Sequence, residues 1–397
     1  METLYKKFYE KYAQTDTSII RDYMNRVDWS NRFIGIKGSR GVGKTTLILQ
    51  YIRQNFGAED QVLYVSLDNL YFGEHRFYDM ADQFVKRGGQ LLVVDEIHRY
   101  PDWSLHLKNI YDDFPALKVI FTGSSLIQLS KAVGDLSRRV VMYSMPSLSF
   151  REFVHFETGE AFPVITLNDL LQNHVSIAMQ IISKIRPLAW FAHYLNYGCY
   201  PFYLENKASV HQKLEEIVQV VLEVDIPQFE NIQTGNVFLL KRLLQLIASS
   251  VPFKPNYQTI SQRTGLSINT LKNYLHHLEK ARLISMLHKP AKGFNNIGRT
   301  EKIYLHNPNL MYALAGENQD KGNVRETFFY NQLSEKYPVF ASNTADFFID
   351  GQYHFEIGGK SKSRKQIQKL EKAYVVKDDI EVGYDNIIPL WLFGFLF

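Results

Sequence analysis

Four short apolar runs punctuate the first third of the chain, at residues 33–36, 62–67, 91–94 and 119–121. Unbroken runs this short suit strands buried on both faces of a sheet. Between them, the stretches near 46–56, 77–86 and 103–113 place apolar residues at helical spacing. The alternation predicts an α/β domain built on a parallel sheet with helices on both faces. Residues 4–27 carry a helical pattern ahead of the first run, and from Phe150 to about Gly235 the rhythm becomes helix after helix, including 167–185 and 210–223.

The later chain has a different grammar. Residues 260–264 predict a short helix, Gly265-Leu266 a tight turn, and Ser267 a cap for a second helix over 268–281. Leu271, Tyr274, Leu275 and Leu278 line one face of that helix. Apolar segments 283–287 and 302–305 would pair as a hairpin joined through 290–296. Beyond them, a helix starting near Val324, strands at 345–349 and 352–357, a helix over 365–373 and an apolar terminus, 387–397, predict a mixed α/β module closed by a buried strand. The expected divisions are 1–30, 31–157, 158–235, 236–306 and 307–397.

Chemistry enters directly after the first apolar run. Gly38, Ser39, Arg40, Gly41, Val42, Gly43, Lys44 and Thr45 form a G-x-x-x-x-G-K-[ST] loop, followed by Thr46 in a helical pattern. The glycines let backbone N–H groups turn inward as an anion nest, and the helix that begins near Lys44 aims its positive dipole end at the same place. Lys44 would reach the β- and γ-phosphates of a nucleoside triphosphate, and Thr45 would offer its hydroxyl to Mg²⁺. The third run ends in Asp95-Glu96, acids at the carboxyl end of a strand, where open α/β sheets place their sites. Asp95 is expected to support Mg²⁺ and Glu96 to orient the attacking water. The fourth run ends in Gly123-Ser124-Ser125, which makes Ser124 or Ser125 a candidate sensor of the γ-phosphate. Arg139, in Asp135-Leu136-Ser137-Arg138-Arg139, is a candidate for neutralising transition-state charge.

These residues, with Val93 to Trp103, Phe121 to Ser125, and Pro146 to Phe153, resemble the bacterial and archaeal AAA-type ATPases in which a P-loop domain precedes a winged helix and a C-terminal nuclease-like domain. The resemblance implies a P-loop NTPase core of AAA type, a helical lid, a winged-helix domain and a C-terminal mixed α/β restriction-endonuclease-like domain. Relatives usually carry Gly-Arg where this chain has Arg138-Arg139, which makes Arg139 the matching residue. It also favours ATP, since no guanine-reading Asn-Lys-x-Asp motif follows. The nuclease-like pattern implies a metal held between Asp346 and Glu356, with Glu326 on an accessory helix and a lysine two residues past the glutamate. Gly358 stands at that lysine position, and Lys360 comes two residues late. The departure favours a scaffold or recognition role for this module, with Lys360 as the substitute cation if cleavage is retained.

Charge sharpens the question of partners. Between Lys254 and Lys302 there are nine Lys or Arg against Glu279 and Glu301, a balance of +7 where the whole chain has +4. A helix-turn-helix would present Asn269, Lys272, Asn273 and His276 outward, toward DNA phosphates or base edges, or toward a protein partner. One cysteine, Cys199, in 397 residues excludes an intrachain disulfide and fits a reducing, cytoplasmic setting. Met1 to Tyr12 alternates charged and aromatic residues without the apolar segment of a signal peptide, and 387–397 is too short to cross a membrane. The expectation is a cytoplasmic, Mg²⁺-dependent ATPase whose turnover moves the later modules. An ATP-loaded switch that recruits a protein, and an ATP-controlled DNA nuclease, remain alternatives. The sequence leaves open whether Arg139 serves its own subunit or a neighbour's, and so whether the protein works as an oligomer.

Overall fold

The computed structural model describes all residues except 58–60, 124–135, 137, 228–231, 233, 251, 291–296, 317–318 and 364, and describes 234, 297 and 298 by backbone alone. The chain divides after Ser147 into two compact units, Met1–Ser147 and Leu148–Phe397.

The first unit is a five-stranded parallel sheet. Its strands are β1 (Phe33–Lys37), β2 (Val62–Ser66), β3 (Leu91–Asp95), β4 (Lys118–Gly123) and β5 (Val141–Ser144), in the order β2-β3-β4-β1-β5. The four apolar runs are the four strands of this order that precede β5 in sequence, and nearly every residue in them is buried. Among the described residues β5 pairs with β1 alone, and it stays half exposed. Helices α1 (Glu2–Gln14), α2 (Lys44–Asn55), α3 (Tyr71–Glu74), α4 (Phe77–Lys86) and α5 (Trp103–Asp113) complete the unit. The helical pattern over 4–27 is realised only as far as Gln14, followed by a 3-10 turn at Asp22–Arg26. Asp16 takes both the backbone N–H and the hydroxyl of Ser18 at 2.8 Å, a local bond that competes with helix continuation.

The second unit opens with α6 (Phe150–Thr158), α7 (Leu167–Ile182), α8 (Pro187–Tyr197), α9 (Val210–Val220) and α10 (Val237–Ala248). A Ser149–Glu152 capping box starts α6. Next come α11 (Tyr257–Thr264) and α12 (Ile268–Lys280), then an antiparallel hairpin of β6 (Ile284–Pro290) and β7 (Ile297–Leu305). The Ser267 side chain caps α12 by accepting the Thr270 N–H, and Leu271, Tyr274, Leu275 and Leu278 are its buried face, as the spacing predicts. After α13 (Pro308–Ala315) and α14 (Lys321–Ser334), a mixed sheet runs β12-β11-β10-β9-β8, from β8 (Val339–Ala341), β9 (Phe347–Ile349), β10 (Tyr353–Gly358), β11 (Ala373–Lys377) and β12 (Ile387–Pro389).

Two sequence expectations fail here. Residues 365–369 are turns, not a helix. Ile367, Leu370 and Ala373 mimic helical spacing, but Ile367 plugs the core beside Val375 and Ile387 from a turn. The apolar terminus is a strand only through Pro389, and a buried 3-10 turn, Leu390–Phe395, follows. A segment buried on every side has no periodicity to separate the two conformations. Phe395 packs edge-on to Phe150 at 5.7 Å, and the Arg151 Nε donates to the Phe397 carbonyl at 3.1 Å. The helices after Ser147 are thus packed in one unit with the last strands. Buried Asn309 ties α8 to α13, donating to the Tyr194 and Leu195 carbonyls and accepting from the Cys199 N–H at 2.7 Å.

Candidate active site

The loop from Gly38 to Gly43, with Ser39, Arg40, Gly41 and Val42 between them, joins the carboxyl end of β1 to α2, so the predicted strand, loop and helix are contiguous. Gly41 and Gly43 take positive φ, 81° and 91°, and Gly43 is the N-cap of α2. Side chains with a Cβ resist that backbone, which is what turns successive N–H groups inward. Lys44 is 6% exposed and folds back over the loop, its Nζ donating to the Gly38 and Ser39 carbonyls at 2.8 and 2.9 Å. An ammonium parked on carbonyls that it can leave is available to an incoming anion. Thr46 is exposed in the first turn of α2.

Asp95 ends β3 beside this loop. Its Oδ2 accepts the Thr45 hydroxyl at 2.7 Å and the Tyr64 hydroxyl at 2.6 Å, while its Oδ1 accepts the Glu96 N–H at 3.1 Å and the Thr122 hydroxyl. Thr45 donates its proton to Asp95, which leaves its oxygen lone pairs for a cation, and Asp95 supplies the adjacent negative charge. An oxygen-only pair of this kind fits Mg²⁺, which takes one or two protein ligands and keeps waters and phosphate oxygens. Burial and the Asp95 carboxylate hold the Tyr64 phenol far above its ordinary pKa, so it acts as a donor.

Glu96 follows in a left-handed conformation, φ 50°, which swings its carboxylate away from the strand. Its Oε2 lies 3.2 Å from Nε2 of His98, whose side chain is fully buried while that of Glu96 is 23% exposed. The histidine fixes the carboxylate, and the exposed remainder faces solvent. Ser124 and Ser125 lie outside the described residues. At the end of β4 the described group that reaches the site is Thr122.

Arg139 is not brought to the phosphate loop of its own chain. It pairs bidentately with Asp112 in the last turn of α5, at 3.1 and 3.2 Å. Val141 pairs with Ile34, four residues before Gly38. At about 3.3 Å per residue, Arg139 sits on the order of 15–20 Å from the loop, at the amino end of the strands.

Residues 30–154 match the AAA domain family. The match covers the sheet of the first unit and runs into α6, and it supports an AAA-type P-loop ATPase reading of that part of the chain at family level. Residues 188–321 match a domain family of unknown function, DUF8612. Across 98% of the chain and 90% of its own length, an uncharacterized protein of Methanocaldococcus jannaschii, MJ1637, is 24% identical. Among solved structures, the Walker-type ATPase PABY2304 of Pyrococcus abyssi aligns over 76% of this chain and 99% of its own at 12% identity and TM-score 0.40. DnaA of Aquifex aeolicus bound to AMPPCP aligns over 68% and 93% at 12% identity and TM-score 0.30.

Beside the AAA domain's motifs, three residues carry the site without having been legible. Arg21, 5% exposed, donates to the Val42 carbonyl of the loop and to the Pro146 carbonyl, both at 2.9 Å, bracing the loop against the segment after β5. Tyr64 and Lys11 form the second case, with the Lys11 Nζ donating to the Tyr64 hydroxyl at 3.1 Å. None of the three belongs to a spaced motif; the packing of α1 and β2 brings Lys11 and Tyr64 to Asp95, and Arg21 reaches the loop from the segment between α1 and β1.

In the second unit the carboxylates singled out by resemblance do converge, but on lysines. Lys302 of β7 reaches Glu326 at 2.8 Å and Asp346 at 3.5 Å, and Tyr304 donates to Glu326 at 2.6 Å. Glu356 pairs with Lys362 at 2.5 Å, not with Lys360. The Lys362 stem crosses Gly358 so closely that a Cβ there would lie 2.6 Å from it, so the missing side chain at 358 makes room for the lysine. Burial raises the Glu356 pKa and the Lys362 bond opposes that rise. Among the described residues no group of three or more His, Cys, Asp or Glu is arranged to hold a metal ion. None of the described helices is long and apolar enough to cross a membrane.

Proposed function

We propose that this protein is an Mg²⁺-dependent ATPase in which Lys44 and the loop amides bind the triphosphate, Thr45 and Asp95 hold the cation, and Glu96 prepares the attacking water. The observation that carries this reading is the junction of Lys44, Thr45 and Asp95. The Lys44 ammonium folds back onto carbonyls of the glycine loop, and a hydroxyl and a carboxylate share one hydrogen bond beside it. The bound cation would compensate phosphate charge during transfer. The chain's own residues do the rest. Loop N–H groups and Lys44 orient the phosphates, and Glu96, steered by His98, accepts a hydrogen bond from water in line with the γ-phosphate.

Arg139, held at the other end of the sheet by Asp112, reads as a group offered to the site of a neighbouring copy. The elements from α10 to β7, with their basic excess and the exposed Asn269, Lys272, Asn273 and His276, read as a winged helix that meets DNA. The lysine-neutralised carboxylates of the last module favour a scaffold role over cleavage. Isothermal titration of ATP with Mg²⁺ into the full chain tests the core of this reading. Wild type should release heat with a single site, and Lys44→Ala should remove it. Equal heats from the two proteins would overturn the assignment.

A further inference from the structure

Tyr64 is buried to 4% in the middle of β2, a strand that contributes nothing to the phosphate loop. Its hydroxyl nonetheless reaches Asp95 Oδ2 at 2.6 Å, the oxygen that Thr45 also occupies at 2.7 Å. A phenol has one hydrogen to give, and Asp95 takes it. The Lys11 ammonium, 3.1 Å from the same hydroxyl and 4.7 Å from the ring centroid, is therefore the donor toward Tyr64. The bonds run in one direction, from α1 through β2 to the carboxylate at the end of β3, and a donor already hydrogen-bonded at its oxygen is a stronger donor.

The bond to Tyr64 changes what Thr45 has to do. Without it, Oδ2 would be held only by Thr45, the residue whose oxygen must also serve a cation. With it, the carboxylate keeps its orientation whatever Thr45 does. The outer end of the relay rests on a lightly attached element, since only Leu4 and Phe8 of the thirteen residues of α1 are buried. Its other ties are largely exposed ones, the Tyr12 hydroxyl on the Phe56 carbonyl and Arg53 on the Tyr12 and Ala13 carbonyls, and attachments of that kind open locally.

We propose that Tyr64 is a positioning residue for Asp95, and that Lys11 couples the strength of that hold to the seating of α1, so that the N-terminal helix sets the divalent-cation dependence of nucleotide binding. The inference rests on the reading of Asp95 as the carboxylate beside Mg²⁺. Partners that orient a metal's ligands typically contribute tenfold or more to its affinity.

The test is equilibrium titration of a fluorescent ATP analogue into the full chain, once in EDTA and once in Mg²⁺, for wild type, Tyr64→Phe, Lys11→Met and the double variant. In EDTA all four should bind alike, which also certifies their folding. In Mg²⁺ wild type should tighten, Tyr64→Phe should lose about tenfold of that gain, Lys11→Met should lose part of it, and the double variant should match Tyr64→Phe. A Tyr64→Phe protein with the full gain would overturn the positioning role. A Lys11→Met effect that persists undiminished in the Tyr64→Phe background would overturn the relay. Should Tyr64→Phe not fold, the surface variant Lys11→Met decides alone, and an unchanged Mg²⁺ gain in it sinks the coupling to α1. A wild-type protein that binds the analogue equally with and without Mg²⁺ would instead defeat the proposed function on which the inference stands.

Discussion

Donors from two strands, one helix and the turn after β3 meet at Asp95, and this one residue separates two kinds of prediction. Thr45, Tyr64, Thr122 and the Glu96 N–H fix its place, whereas the Glu96 carboxylate is 23% exposed and meets His98 at 3.2 Å. Glu96→Gln keeps the shape and loses the charge that polarises water. Nucleotide binding should survive and single-turnover hydrolysis should fall about a hundredfold or more. A Glu96→Gln protein that turns over at the wild-type rate would remove Glu96 from the mechanism. A second residue governs stability. His306 is buried against Ser285, 3.0 Å from its hydroxyl, and burial with Arg282 nearby lowers its pKa from 6.5 to about 3. A lowered histidine pKa gives stability that is complete above 6.5 and is lost as pH falls toward 3. Between pH 7 and pH 5 the loss should be about 2 kcal/mol. Urea denaturation at the two pH values should show that loss reduced in His306→Gln.

At the scale of elements, the helices and hairpin between Tyr257 and Leu305 show how far patterning reaches. The cap at Ser267, the apolar face of α12 and the turn at Gly265 are all decided within a few residues, and all three formed. What the outward face of α12 meets is a separate question. Lys272 is exposed, with its ammonium 5.6 Å from the Tyr257 ring centroid, and has no carboxylate partner among the described residues. If that face lies against a DNA backbone, Lys272→Ala should weaken duplex binding and reduce the slope of log affinity against log salt by about 1. Fluorescence anisotropy across a salt series measures both, and an unchanged slope would point to a protein partner. The terminal segment taught the opposite lesson, because 387–397 is apolar at nearly every position and so carries no period. Packing against Phe150 and Arg151 ended the strand at Pro389 and wound the rest into a 3-10 turn.

For the whole molecule, the placement of Arg139 has the largest consequence. A guanidinium at the amino end of the sheet serves its own phosphate loop only by crossing the length of the strands, which is why Arg139 is proposed to act on the loop of another copy. Arg139→Ala and Lys44→Ala should each be inactive alone. Mixed, they should recover part of the wild-type turnover, since some assemblies pair an intact loop with an intact arginine. Steady-state ATPase assays of the mixture check this, and no recovery at any ratio would count against a shared site.

The strand, loop and helix around Gly38 to Thr45, the acids at Asp95 and Glu96, and the α/β class were determined by sequence alone, because phosphate nests, buried strands and helix caps are local solutions set by residues close along the chain. The lysines that occupy Glu326, Asp346 and Glu356, the separation of Arg139 from the loop, and the path from Lys11 through Tyr64 to Asp95 were decided only by the tertiary structure. Apart from Glu356 and Lys362, six residues apart across a turn, each joins side chains separated by tens of residues, with no spacing rule to connect them. What selected them was the need of a buried or charged group for a partner within about 3 Å, and only the packed fold determines which groups come that close.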